Sequence, residues 1–133
     1  MEAARALADL VEISPQIGAA VVLAVGEPVA SVGIPDARAA VVALAVRELL
    51  DRAGEFRSDG GRVTQLHASL GNEEVFAVTD AELHTIVAMV NERTAPGLLF
   101  YDLKRCLTAV AEPDEKPKRK PRRRRTKEAD AEA

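Results

Sequence analysis

The residues in this 133-residue chain that could bind a metal or carry covalent chemistry are few: two histidines, one cysteine and some paired carboxylates. His67 and His84 fall on or beside different predicted strands, with no Cys or carboxylate at ligand spacing. A metal site needs three or four suitable ligands, so each histidine reads as a hydrogen-bonding group at a sheet surface. Cys106 lies on the apolar stripe of a predicted helix and reads as a small core side chain, because a reactive thiol requires exposure and nearby positive charge. A single cysteine also excludes an internal disulfide framework and a Cys-rich zinc site, which fits a reducing compartment. Glu73 with Glu74, and Asp80 with Glu82, are placed in turns, where carboxylates stay solvated and lack the coupled or dry surroundings of a catalytic acid. The sequence has no glycine string followed by Lys and Ser or Thr to cradle phosphates, and no dinucleotide fingerprint; Gly60 and Gly61 belong to a loop. These residues therefore predict no catalytic centre, no cofactor and no metal, and the chain is not expected to be an enzyme.

Charge divides the chain in two. Residues 1–112 hold 9 Lys and Arg against 16 Asp and Glu, whereas residues 113–133 hold 9 against 5. The second segment has prolines at 113, 117 and 121, no Leu, Ile, Val, Phe or Tyr, and nine basic residues between Lys116 and Lys127. It cannot bury enough apolar surface to offset an ordering cost of roughly 1–2 kcal/mol per residue. A folded unit over 1–112 and a disordered basic tail over 113–133 are the expected organisation. Lys118, Arg119, Lys120 and Arg122, Arg123, Arg124 and Arg125 form a cluster able to bind polyanions, by releasing counterions from nucleic acid or resting on anionic lipid. No aromatic residue interleaves them, so stacking on bases has no side chains to use. The first segment carries Glu2, Arg5 and Asp9, and no apolar run approaches the roughly 18 residues of a spanning helix, which predicts a cytoplasmic protein. The excess of Arg over Lys, with abundant Ala, suggests a bacterial source.

Hydrophobic periodicity supplies the elements. Ala3, Leu7, Leu10 and Val11 share one face of a short helix ending near Ser14 and Pro15. Ile17 to Val25 is an almost unbroken apolar run, read as a central strand, and Gly26 to Pro28 turn the chain into a second strand over Val29 to Ile34. Asp36 is the expected N-cap of a long helix reaching Ala53, with Gly54 as its stop. That helix shows two apolar stripes: Val42, Val46, Leu49 and Ala53 on one side, Ala37, Ala40, Val41 and Leu44 on another. A helix resting on a sheet needs only one, so the second predicts a further cover, most simply another chain. Strands are then expected over Val63 to Leu70, Val75 to Thr79 and Thr85 to Val90, and Pro96 opens a last helix with Leu99, Leu103, Cys106, Leu107 and Val110 inward. The compact arrangement is an α+β fold, a five-stranded antiparallel sheet with helices on both faces.

With that order in place, His84 to Val90, a short polar turn and then Pro96 to Arg105 resemble the closing strand and helix of a Roadblock light-chain domain. The opening, Ile17 to Val25, a glycine turn and Pro28 to Val32, resembles the same family, and the similarity runs from about Leu7 to Val110. The resemblance implies a profilin-like α/β/α sandwich that forms a homodimer through its long helix and third strand. In this sequence those positions are Ala40, Val41 and Leu44, with Gln65 and His67. It further implies a non-enzymatic scaffold or, for a bacterial-type member, a regulator of a small Ras-like GTPase. The alternative is a dimerisation module whose basic tail binds nucleic acid or an anionic membrane surface.

Overall fold

A computed structural model of the chain describes residues 1–92 and 94–112. Three helices and five strands follow in the order α1 (Ala3–Ile13), β1 (Ile17–Ala24), β2 (Glu27–Val32), α2 (Asp36–Ala53), β3 (Gln65–Ser69), β4 (Glu74–Thr79), β5 (His84–Val90) and α3 (Pro96–Ala111). The strands form one antiparallel sheet in the spatial order β2-β1-β5-β4-β3. The valine-rich β1 and the apolar β5 occupy its interior, as a strand covered on both faces must. On one face, Leu7 and Leu10 of α1 and Leu99, Leu103 and Leu107 of α3 pack over Val22, Phe76, Ile86 and Ala88. On the other, Ala39, Ala43 and Val46 of α2 pack over Val21, Leu23, Ala77 and Val87. The two faces thus alternate along β1, β4 and β5, and the core is split into two layers.

Several boundaries differ from the sequence reading, each for a local reason. β1 ends at Ala24, because Val25 and Gly26 both take positive φ (51° and 83°) and make a two-residue hairpin connection between Ala24 and Glu27. β2 therefore begins at Glu27 rather than Val29 and ends at Val32 rather than Ile34, and it contains Pro28. It lies at a sheet edge, where a missing N–H breaks no ladder. The N-cap of α2 is Pro35, with Asp36 as the first helical residue and no side-chain cap bond. The Asp36 carboxylate sits instead in the first turn, where the helix dipole favours it. Gly54 does not stop the helix in a left-handed conformation: it stays right-handed (φ −61°) and leads into a single 3₁₀ turn over Gly54–Phe56. β3 spans Gln65–Ser69 rather than Val63 to Leu70, since its ladder with β4 covers only those five residues. Gly33 is the one glycine enforced by a close approach: its φ is 72°, and a Cβ there would run into the carbonyl oxygen of Gly18. Only a residue without a Cβ is accommodated at such a position.

Candidate functional site

The inward side of α2 consists of Ala39, Ala43 and Val46, joined by the half-buried Val42 and Leu50. Leu49, expected on that stripe, is instead exposed, and Leu50 takes the inward place. The outer side, from Ala37 through Ala45, carries Ala37, Ala40, Val41, Leu44 and Ala45, all exposed, with Arg38 beside them. Val41 and Leu44 keep 54% and 56% of their surface in water. Between Arg38 and Arg47 the helix has no polar side chain. This half of α2 is therefore apolar all round, while the described residues cover only its inner side.

β3 forms the edge of the sheet opposite β2 and is paired on one side only, to β4, among the described residues. The outer row of its backbone groups is therefore available for pairing with another strand. The side chains of β3 alternate between layers. Leu66 joins the cluster under α2, whereas His67 stacks on Phe76, with ring centroids 4.2 Å apart and planes 10° from parallel. Phe76 belongs to the layer beneath α1 and α3, so the structure places Gln65 and His67 on that face of the sheet. The five positions anticipated for an interface thus fall in two places: Ala40, Val41 and Leu44 on the outside of α2, and Gln65 and His67 on the opposite face of the edge strand. What the two places share is the edge itself, through the main chain of β3. Strand alternation showed which side chains of β3 go together, but only the Phe76 contact shows which layer they enter. The tail positions Lys118, Arg119, Lys120 and Arg122 to Arg125 lie outside the described residues.

Both histidines and the carboxylates beside them are held by local structural bonds. His67 Nε2 is 3.0 Å from Glu74 Oε1 across the β3–β4 ladder. Asp80 organises the β4–β5 turn: its Oδ1 accepts the N–H groups of Glu82 (2.9 Å) and His84 (2.8 Å), and its Oδ2 lies 3.2 Å from His84 Nδ1. Both histidines thus pair with carboxylates that sequence spacing had not joined to them. Ser14 Oγ donates to Asp102 Oδ2 at 2.7 Å, fastening the end of α1 to α3. Cys106 is buried between these helices, its Sγ 3.5 Å from the Ala6 carbonyl oxygen, and burial pushes the thiol up to about 11. That is away from the thiolate form a nucleophile needs. Among the described residues no three His, Cys, Asp or Glu side chains converge as a metal site would require. No described helix is long and apolar enough to cross a membrane.

Two exposed apolar side chains escape periodicity altogether. Val25 and Leu83 are the non-glycine residues with positive φ among the described residues (51° and 68°), and they sit at the tips of adjacent turns. The Val25 N–H donates to the Leu83 carbonyl oxygen at 3.0 Å. A signal was present in the sequence: hairpin turns that need positive φ favour Asn, Asp or Gly, and here those positions hold Val and Leu.

No protein-family model matches the sequence, and neither does any curated protein. Solved structures do match it. A Roadblock/LC7 domain from Streptomyces avermitilis superposes with a TM-score of 0.74 at 21% identity, covering 83% of this chain and 95% of that one. Myxococcus xanthus MglB gives 0.64 at 14% identity, covering 81% of this chain and 93% of that one. Profilin IA of Acanthamoeba castellanii gives 0.52 at 15% identity, covering 80% and 95%. Helices on both faces of a five-stranded antiparallel sheet, matched over nearly the whole of these domains, show that this chain has the Roadblock/LC7 fold, a profilin-like sandwich.

Proposed function

We propose that the chain is a non-enzymatic, homodimeric regulator or scaffold of the Roadblock family, acting in the cytoplasm on a small Ras-like GTPase. The observation that carries this reading is the uncovered apolar side of α2, with Val41 and Leu44 exposed, in a domain that also has a free strand edge at β3. Two copies related by a twofold axis would bury the first and pair the second, joining two five-stranded sheets into one. One solved MglB structure of similar fold is described as having a tetrameric arrangement, which supports self-association of this chain. The GTPase comes from the bacterial branch of the family resemblance. A dimer lacking catalytic side chains would act by binding one conformation of the GTPase better than another, shifting its population.

The test is retention of a Ras-like GTPase from native lysate by the full chain and by a shortened chain ending at Glu112, with and without nuclease, followed by nucleotide-exchange and hydrolysis assays on the retained protein. A GTPase held by both chains, with either rate altered, supports the reading. Partners lost with residues 113–133, or after nuclease, favour the alternative: a dimerisation module whose basic tail binds nucleic acid or an anionic membrane surface.

A further inference from the structure

The exposed apolar surface of α2 does not end at Leu44. Arg47, whose side chain lies over Gly26 in the β1–β2 connection, marks the flank of α2 that leans toward β2. A helix turns about 100° per residue, so Leu49, two residues on, lies on the opposite flank, toward the β3 edge. Val41, Ala45 and Leu49 follow one another at intervals of four along that flank, and all three are exposed. The 3₁₀ turn after α2 then carries Phe56, which is 93% exposed, the highest value among the large apolar side chains described. An aromatic ring left in water beside other exposed apolar side chains gains from a contact outside the domain.

Phe56 stands at one end of β3. Arg57 Nη1 donates to the Arg62 carbonyl oxygen at 3.0 Å, Arg62 Nη2 to that of Asp80 at 2.8 Å, and the Thr79 N–H to that of Thr64 at 3.0 Å. These bonds hold residues 57–64 against the start of the strand. At its other end, Leu70 continues the row of Leu66 and Ala68 on the α2 face of the sheet and is 57% exposed. Gln65 and Ser69 are four residues apart, which at about 3.4 Å per residue separates the two ends by about 14 Å. Phe56 therefore cannot cover Leu70 of its own chain. The charges beside Phe56 are matched, Arg52 with Glu55 at 4.0 Å and Arg57 with Asp59 at 2.6 Å, and Glu73 beside Leu70 is exposed. Covering either end isolates no charge.

We propose that Phe56 anchors a second copy of the chain: with two β3 strands paired antiparallel about a twofold axis, Phe56 of each copy packs on Leu70 of the partner subunit, with Leu49 bordering the contact. The inference rests on the self-association proposed above and adds the residues that seat the partner. Antiparallel self-pairing brings the start of one β3 beside the end of the other, so the two uncovered side chains meet at both ends of the seam. Residues opposite one another across a ladder share a face, and setting Gln65 against Ser69 of the partner subunit uses all five residues of β3. The flank carrying Val41, Ala45 and Leu49 faces the same seam, which makes the contact continuous from α2 to its ends. β2, the other edge, is a poor template, because it contains Pro28 and its ladder with β1 is irregular between Val22 and Leu23.

The test compares sedimentation equilibrium of the full chain with that of Phe56→Ser and Leu70→Ser, each shown to be folded by circular dichroism. Either variant should raise the dimer dissociation constant about tenfold or more, as loss of an aromatic anchor or of its pocket does. Position is read separately, by treating an equimolar mixture of Phe56→Cys and Leu70→Cys chains with a short bismaleimide at neutral pH, well above the dissociation constant. Cys106 is buried, and wild type serves as the blank. Linked dimers should form in the mixture and from neither variant alone, because the twofold axis sends equal positions to opposite ends of the seam. Wild-type dimer strength in either Ser variant, a link within one Cys variant alone, or no link in the mixture would overturn the anchor while leaving self-association standing. A wild-type chain that stays monomeric would overturn both.

Discussion

The β1–β2 turn makes a prediction that runs against the usual expectation that core-like residues stabilise. Val25 sits at φ 51° in a two-residue connection. For a residue with a side chain, that left-handed conformation costs roughly 1–2 kcal/mol, and less for Asn. Val25 is 71% exposed, so under a third of its surface is packed. Removing it forfeits only about 0.5 kcal/mol of the roughly 1.5 kcal/mol or more that full burial would be worth. Val25→Asn should therefore stabilise the fold by about 0.5–1 kcal/mol, raising the unfolding midpoint by roughly 2–5 °C. Thermal and urea unfolding followed by circular dichroism at one fixed protein concentration would measure it. Val25→Ala is the control: it loses the same packing but keeps a Cβ in the left-handed position, and should be neutral or slightly destabilising. If Asn lowers the midpoint, or behaves like Ala, the turn does not carry the strain assigned to it.

Other predictions test other parts of the structure. Gly33→Ala adds both a left-handed side chain and a collision with the Gly18 carbonyl. It should destabilise by about 2–4 kcal/mol, and a chemical-denaturation midpoint close to wild type would contradict this. Cys106 has its thiol pushed from 9.0 up to about 11. It should react with alkylating reagents at pH 8 roughly a hundredfold more slowly than an unperturbed thiol and be released by urea; rapid labelling of the native protein would refute its burial. Because the folded thiol holds its proton more tightly than the unfolded one, its contribution is complete below about pH 9 and is lost as pH rises toward 11. Unfolding midpoints should fall across that window, and Cys106→Ser should lessen the fall.

What the sequence disclosed and what it hid follow from the range of the interactions involved. α3 was legible because Pro96 opens it and Leu99, Leu103, Cys106 and Leu107 recur on one face, a purely local signal. The interior strands β1, β4 and β5 were legible because burial on both faces leaves an almost unbroken apolar run. β2 was read two residues too late at each end, since Glu27 and Pro28 are poor strand residues that only an edge position tolerates. Leu49 and Leu50 are adjacent and equally apolar, so only the docking of α2 decides which turns inward. The same holds for His67: alternation groups it with Gln65, but its stacking on Phe76 is a cross-strand contact that spacing alone does not encode. The second stripe of α2 was legible as excess apolar surface, and Ala37, Ala40, Val41 and Leu44 lie exposed on the outside of the helix.

The measurement that bears most directly on the central claim is the mass of the full chain in solution, by sedimentation equilibrium at micromolar concentration, beside Leu44→Asp. Leu44 is 56% exposed, so Asp there costs the isolated domain little. Two carboxylates brought into a dry interface, by contrast, should weaken association by several kcal/mol. Wild type should sediment at twice its 14.2 kDa chain mass, and Leu44→Asp should remain folded and sediment at 14.2 kDa. A wild-type chain that sediments at 14.2 kDa, or a folded Leu44→Asp that keeps the doubled mass, would contradict the assignment of α2 and the β3 edge as the self-association surface.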